Sequence, residues 1–160
     1  MVDGYFSLKG IYDWSYTLTG DTMEVSRGSV YLYEFESYDK LSMDIEVLMD
    51  INNEYGFVLY SRLPTRRLIE KLDLSKLDHY WITNKAYLAS IRPSITDIIK
   101  SIKKNNLTEK RIYFLDGLEY IYNNSDKDEL LSTLVMFADE VKMVNSVVVY
   151  CINSLAFESE

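Results

Sequence analysis

The feature that most constrains this chain is a set of short, continuously apolar runs, each followed by apolar residues at helical spacing. The runs are Ser29–Phe35, Phe57–Ser61, Tyr80–Thr83, Arg111–Asp116 and Ser146–Asn153, and none alternates apolar with polar. A strand apolar on both sides must be covered on both sides, as in a parallel sheet layered between helices. The intervening segments carry the matching stripes: Leu41, Ile45, Leu48 and Met49; Ile95, Ile98, Ile99 and Ile102; Leu130, Leu131, Leu134, Phe137, Ala138 and Val141. Ser37 stands as an N-cap, and Ser94 with Asp97 and Ser125 with Asp128 stand at capping-box spacing. Gly56 closes the first helix, and Pro64 opens a short one running through Leu72. The prediction is an α/β fold: a mostly parallel five-stranded sheet with helices on both faces and right-handed crossovers.

Residues 1–27 obey a different rule. Trp14, Tyr16 and Leu18 alternate with Ser15, Thr17 and Thr19, and Gly20-Asp21 offers a turn before Met23 and Val25. This pattern predicts an N-terminal β-hairpin extension, leaving 28–160 as the α/β domain.

Composition excludes several classes of function. With 48% hydrophobic and 26% charged residues the chain matches an ordinary globular protein, and no apolar run approaches a membrane span. A formal net charge of −8, with no basic block, argues against nucleic acid as a partner. No signal-like start is visible and Cys151 is the single cysteine, which together point to a cytoplasmic protein. The 14 tyrosines favour a protein-protein surface.

In a parallel sheet the residues just past each strand converge on the carboxyl edge, where ligands are held. Here they are Glu36, Arg62, Thr83 or Asn84, Asp116 with Glu119, and Asn153. Arg62, Asp116 and Glu119 are the candidate ligand-binding residues, with Asp116 as the candidate for a magnesium contact. The bland alternative is that Asp116 caps the turn at Gly117 while Glu119 pairs with a nearby base such as Arg62. Arg62, ahead of Pro64, either binds an anion or anchors the acids. Nucleotide hydrolysis lacks a part: the link Glu36-Ser37-Tyr38-Asp39-Lys40 is short, has no glycine and opens on an acid. No catalytic residue, metal site or cofactor is expected. His79, the only histidine, falls at a strand entrance; Cys151 and Trp81 read as core.

The succession Gly56-Phe57-Val58-Leu59-Tyr60-Ser61-Arg62-Leu63-Pro64, then Trp81-Ile82-Thr83, then Pro93, then Leu115-Asp116-Gly117-Leu118-Glu119-Tyr120-Ile121 with Asn124, resembles the archaeal family called domain of unknown function 835. The resemblance covers about Gly28 to Glu160. It implies an archaeal source, a fold related to RecA-like or KaiC-like ATPase cores, and a connection to signalling, but no established activity. In a KaiC-like comparison Asp116 matches the magnesium-side acid, whereas the phosphate loop has no counterpart. Pro64, Trp81, Pro93, Gly117 and Tyr120 are then structural parts of the motif.

The function expected is a non-catalytic signalling or protein-interaction module on a degenerate ATPase-like scaffold, self-associating as a homo-oligomer. The alternative is a ligand- or nucleotide-binding domain, weakly hydrolytic, working at the carboxyl edge of the sheet.

Overall fold

Both sides of every central strand are covered, as the apolar runs require. The computed structural model describes residues 16–17 and 24–153. Its strands are β1 (Tyr16–Thr17), β2 (Val30–Glu34), β3 (Gly56–Ser61), β4 (Asp78–Ile82), β5 (Ser90–Ile91), β6 (Arg111–Asp116) and β7 (Val147–Ile152). They form one seven-stranded sheet in the order β1-β2-β7-β6-β3-β4-β5, and every pairing is parallel. The five expected strands are present. The expected count is corrected by two pieces of two residues at the two edges: β5, too short to show a pattern in the sequence, and β1, which falls in the alternating stretch expected as a hairpin.

The described helices are α1 (Tyr38–Ile51), α2 (Thr65–Leu68), α3 (Ile95–Lys104), α4 (Leu118–Asn123) and α5 (Lys127–Val141). One core layer joins Leu41, Ile45 and Leu48 of α1 and Leu68 of α2 to Leu59, Ile112, Phe114, Val147 and Val149. The other joins Ile98 and Ile102 of α3, Leu118 of α4 and Leu134 and Phe137 of α5 to Val58, Tyr60, Tyr113, Leu115 and Val148. Along β6 and β7 successive residues therefore enter opposite layers, which is why these strands are continuously apolar. Each fully buried Leu, Ile or Phe contributes about 1.5–3 kcal/mol, so the two layers carry most of the stabilisation.

Ser37 caps α1 by accepting from the Lys40 N–H at 3.2 Å, and Ser94 caps α3 by accepting from Asp97, both as expected. The cap of α5 is one residue later than Ser125: Asp126 accepts from the Glu129 N–H at 3.1 Å. The helix after Pro64 covers only Thr65–Leu68 instead of running to Leu72. Most of the hairpin expected over 1–27 lies outside the described residues. Of its residues, Tyr16 and Thr17 pair in parallel with Tyr31 and Leu32, whereas Glu24 and Val25 belong to no strand and the Val25 N–H donates to Asn52 Oδ1 at 3.0 Å.

The strand order sets the place of any site. From β3 the chain leaves through α2 on one face; from its neighbour β6 it leaves through α4 and α5 on the other. Adjacent strands whose continuations part to opposite faces open a crevice at their carboxyl ends. Ser61 ends β3 and Asp116 ends β6.

Candidate functional site

Residue parity turns Asp116 toward the α1 layer, because Ile112 and Phe114 of the same strand already pack there. Asp116 is 0% exposed. The Ser61 hydroxyl donates to its Oδ2 at 2.7 Å, and the Arg62 N–H donates to the same oxygen at 3.3 Å. The Tyr38 hydroxyl, from the first residue of α1, donates to Oδ1 at 3.3 Å. Both carboxylate oxygens thus have partners. Burial pushes Asp116 up to about 6, against the opposing pull of the Ser61, Tyr38 and Arg62 hydrogen bonds. The same burial, with Asp116 alongside, raises the Tyr38 hydroxyl far above its ordinary value and keeps it a donor.

Arg62 closes the crevice from above. Its guanidinium lies 3.9 Å from the centroid of the Tyr120 ring, and its Nη1 donates to the Ile82 carbonyl at 2.6 Å. Its own carbonyl accepts from Trp81 Nε1 at 3.1 Å. The side chain crosses the backbone at Gly117, whose φ is +106° and where an added Cβ would lie 2.6 Å from Arg62 Cγ. Glycine is required there twice over, by conformation and by space. Directly after it α4 begins, a short helix with no warning in the sequence beyond Leu118 and Ile121, both fully buried.

Glu119, on α4, is 8% exposed, and its Oε2 has no hydrogen-bond partner among the described residues. Burial, and next the neighbouring Asp116, push it up to about 8, so it holds its proton at neutral pH. No ion pair joins Glu119 to Arg62 or to another base among the described residues, as the bland alternative would have it: Arg62 lies over Tyr120 and donates to the Ile82 carbonyl. Asp116 likewise does not cap the turn at Gly117 but ties β3 and α1 to β6. Trp81 is half-buried, stacked on Tyr87 at 5.2 Å between centroids, and so is not a core residue as expected. Cys151, the register partner of Asp116, is fully buried, and burial drives its thiol well up. His79 is the second residue of β4, with Nε2 3.3 Å from Thr65 Oγ1; burial lowers it.

The structure therefore gathers Arg62, Trp81, Asp116, Gly117, Glu119 and Tyr120 into one cluster. Pro64 stands just outside it as the N-cap of α2. Pro93 lies with Tyr120, Asn84, Arg92 and Asn124 in the lining of a groove of about 480 Å³, also at the carboxyl edge. Tyr38 and Ser61 complete the cluster and were not singled out from sequence. Ser61 had one signal, its place beside Arg62 at the end of β3; Tyr38 had none.

Between β2 and α1 the chain has only Phe35, Glu36 and Ser37, with no glycine and with Ser37 engaged as the cap, so no backbone cradle for phosphates exists there. Among the described residues no three His, Cys, Asp or Glu side chains gather as metal ligands. None of the described helices is long and apolar enough to cross a membrane.

A family model described as "Protein of unknown function (DUF835)" matches residues 38–160, starting later than the Gly28 expected and leaving β2 outside. The chain is also similar to a solved structure from Pyrococcus horikoshii OT3, described as a structural study of Project ID PH0250, with a TM-score of 0.59 and 12% identity. That likeness covers 84% of this chain and 74% of the other, and at such identity it shows the fold alone. No curated protein matches.

Proposed function

We propose that this chain, which belongs to the DUF835 family, is a non-catalytic protein-interaction or signalling module. One observation carries the reading. The crevice between β3 and β6, where a sheet of this topology holds its ligand, is filled by the chain's own Asp116, Ser61, Tyr38 and Arg62. Asp116, which a KaiC-like resemblance would match to a magnesium contact, is fully buried, and its oxygens serve the hydroxyls and N–H of neighbouring elements. A descent from a RecA-like or KaiC-like ATPase core, in an archaeal source, belongs to the same reading and rests on the sequence resemblance. The short link from β2 to α1 supports a scaffold without nucleotide chemistry.

Thermal-shift and calorimetric titration with ATP, GTP and magnesium test this. A ligand at a hundred times its dissociation constant would stabilise by about 2.7 kcal/mol, and no shift is expected. Tight ATP binding at the carboxyl edge would overturn the reading. Light scattering of the full chain decides whether the partner is a second copy.

The groove beside Tyr120 favours a second reading, a small polar ligand bound without hydrolysis. Asn84, Arg92, Asn124 and Asp126 face it, and its volume of about 480 Å³ suits such a ligand. A thermal shift with a small polar compound that Asn124→Leu abolishes would support this reading; a shift that survives the substitution would count against it.

A further inference from the structure

Helices α3 and α5 begin side by side at the carboxyl edge. Lys103 near the end of α3 pairs with Glu140 near the end of α5 at 2.8 Å, and Ile98, Ile102, Leu134 and Phe137 of the two helices share one core layer. The helices therefore run in the same direction, and their first turns flank the groove of about 480 Å³ beside Tyr120. One wall, Arg92 to Thr96, leads into α3; the other, made by Asn124, Ser125, Asp126, Glu129 and Leu130, leads into α5. The two walls differ in charge. Among the described residues that line the groove, Arg92 on the α3 wall is the only base, and Asp126 and Glu129 on the α5 wall are the only acids.

These charges are not consumed within the chain. Arg92 reaches Asp97 only at 3.9 Å, with both side chains open to water, an arrangement that holds little. Asp126 gives one oxygen to the Glu129 N–H at 3.1 Å and keeps the other. Glu129 forms no ion pair among the described residues. Opposed walls disfavour a ligand of a single sign, because an anion meets Asp126 and Glu129 while a cation meets Arg92. A molecule with both charges suits both. Packed helix axes lie about 8–10 Å apart, which leaves groups on two first turns within reach of one small molecule. Between the walls, Pro93, Leu130 and the Tyr120 ring, itself fixed by the Arg62 guanidinium at 3.9 Å, supply an apolar part.

Resting on the second reading above and naming its ligand, we propose that this groove binds a free amino acid as its zwitterion. Arg92 takes the carboxylate, Glu129 and Asp126 take the ammonium, and the side chain lies against Tyr120 and Pro93. An α-amino acid is the smallest molecule that offers both a planar anion for the arginine fork and N–H donors for a carboxylate. A phosphate ester or a metal ion satisfies one wall and is repelled by the other.

The probes are the protein-forming L-amino acids, added one at a time to the full chain and followed by thermal shift and calorimetry, with glucose as a neutral polyol. Each amino acid that binds is compared with its deaminated acid and its decarboxylated amine, which for leucine are 4-methylpentanoate and 3-methylbutylamine. At least one amino acid should bind about tenfold or more tighter than either of its single-charge analogues, and R92Q and E129Q should each weaken it about tenfold. D128N makes the same change of charge on the first turn of α5 but outside the groove lining, and should leave binding unchanged. All three positions are exposed, and circular dichroism checks that the variants keep the fold. Absence of binding by every amino acid, equal binding of an analogue with one charge, or binding that either R92Q or E129Q leaves unmoved would overturn the proposal. A shift with glucose that Asn124→Leu abolishes, with no amino acid bound, would leave the polar-ligand reading standing and remove only the zwitterion; silence from every probe would remove both.

Discussion

Arg62 passes over Gly117 so closely that a methyl group on the glycine would lie 2.6 Å from Arg62 Cγ. The ends of β3 and β6 are thereby locked to each other: the arginine spans the crevice, and the turn beneath it has given up its side chain to let it through. The fit is local, but it joins two strands that are far apart in the chain.

Gly117→Ala should destabilise the fold by roughly 2–4 kcal/mol, combining the strain of a positive φ with the clash against Arg62. In an Arg62→Ala background the clash disappears and the cost should fall to about 1–2 kcal/mol. Urea unfolding of the four proteins measures this. Equal costs in the two backgrounds would show that the crossing does not constrain the glycine.

Asp116→Ala removes the acceptor for the Ser61 and Tyr38 hydroxyls and the Arg62 N–H. It should cost about 2–4 kcal/mol, and Asp116→Asn less, since one acceptor oxygen remains. A loss below about 0.5 kcal/mol for the alanine variant, within the range of ordinary surface changes, would mean that the cluster does not hold the crevice shut.

Stability should fall as pH rises from 5 to 9. Glu119 has an ordinary value of 4.5 and is raised to about 8 in the folded chain, so between those values the folded state binds the extra proton. Folding is then favoured on the acid side of the window, and that advantage is lost as pH rises through about 8. Asp116, raised from 3.8 to about 6, contributes in the same direction over a lower range. One proton gives a slope of at most about 1.4 kcal/mol per pH unit. Glu119→Gln should flatten the upper part of the curve and overtake the wild type by pH 9. Parallel curves for the two proteins, followed by thermal melting, would remove Glu119 as the source.

Cys151 lies within β7 with both faces covered. Its reaction with an aromatic disulfide reagent should be slower on the order of a hundredfold in the native protein than in urea, because attack needs a thiolate and an opening of the sheet. Native labelling at the rate of the unfolded chain would contradict this burial.

The residues themselves determined the layered α/β fold, since runs such as Val147–Ile152 are apolar at every position and that requires helices on both faces. They also determined the caps at Ser37 and Ser94, because these are contacts between residues a few positions apart. Only the tertiary structure decided that Asp116 is engaged instead of free. The hydroxyls that engage it belong to Tyr38 and Ser61, 78 and 55 residues away, and they arrive because β3 lies beside β6 while α1 packs on the face that Asp116 turns toward. Local spacing records which sides of an element are buried. It does not record which elements become neighbours, and whether this crevice is open or closed depends on that.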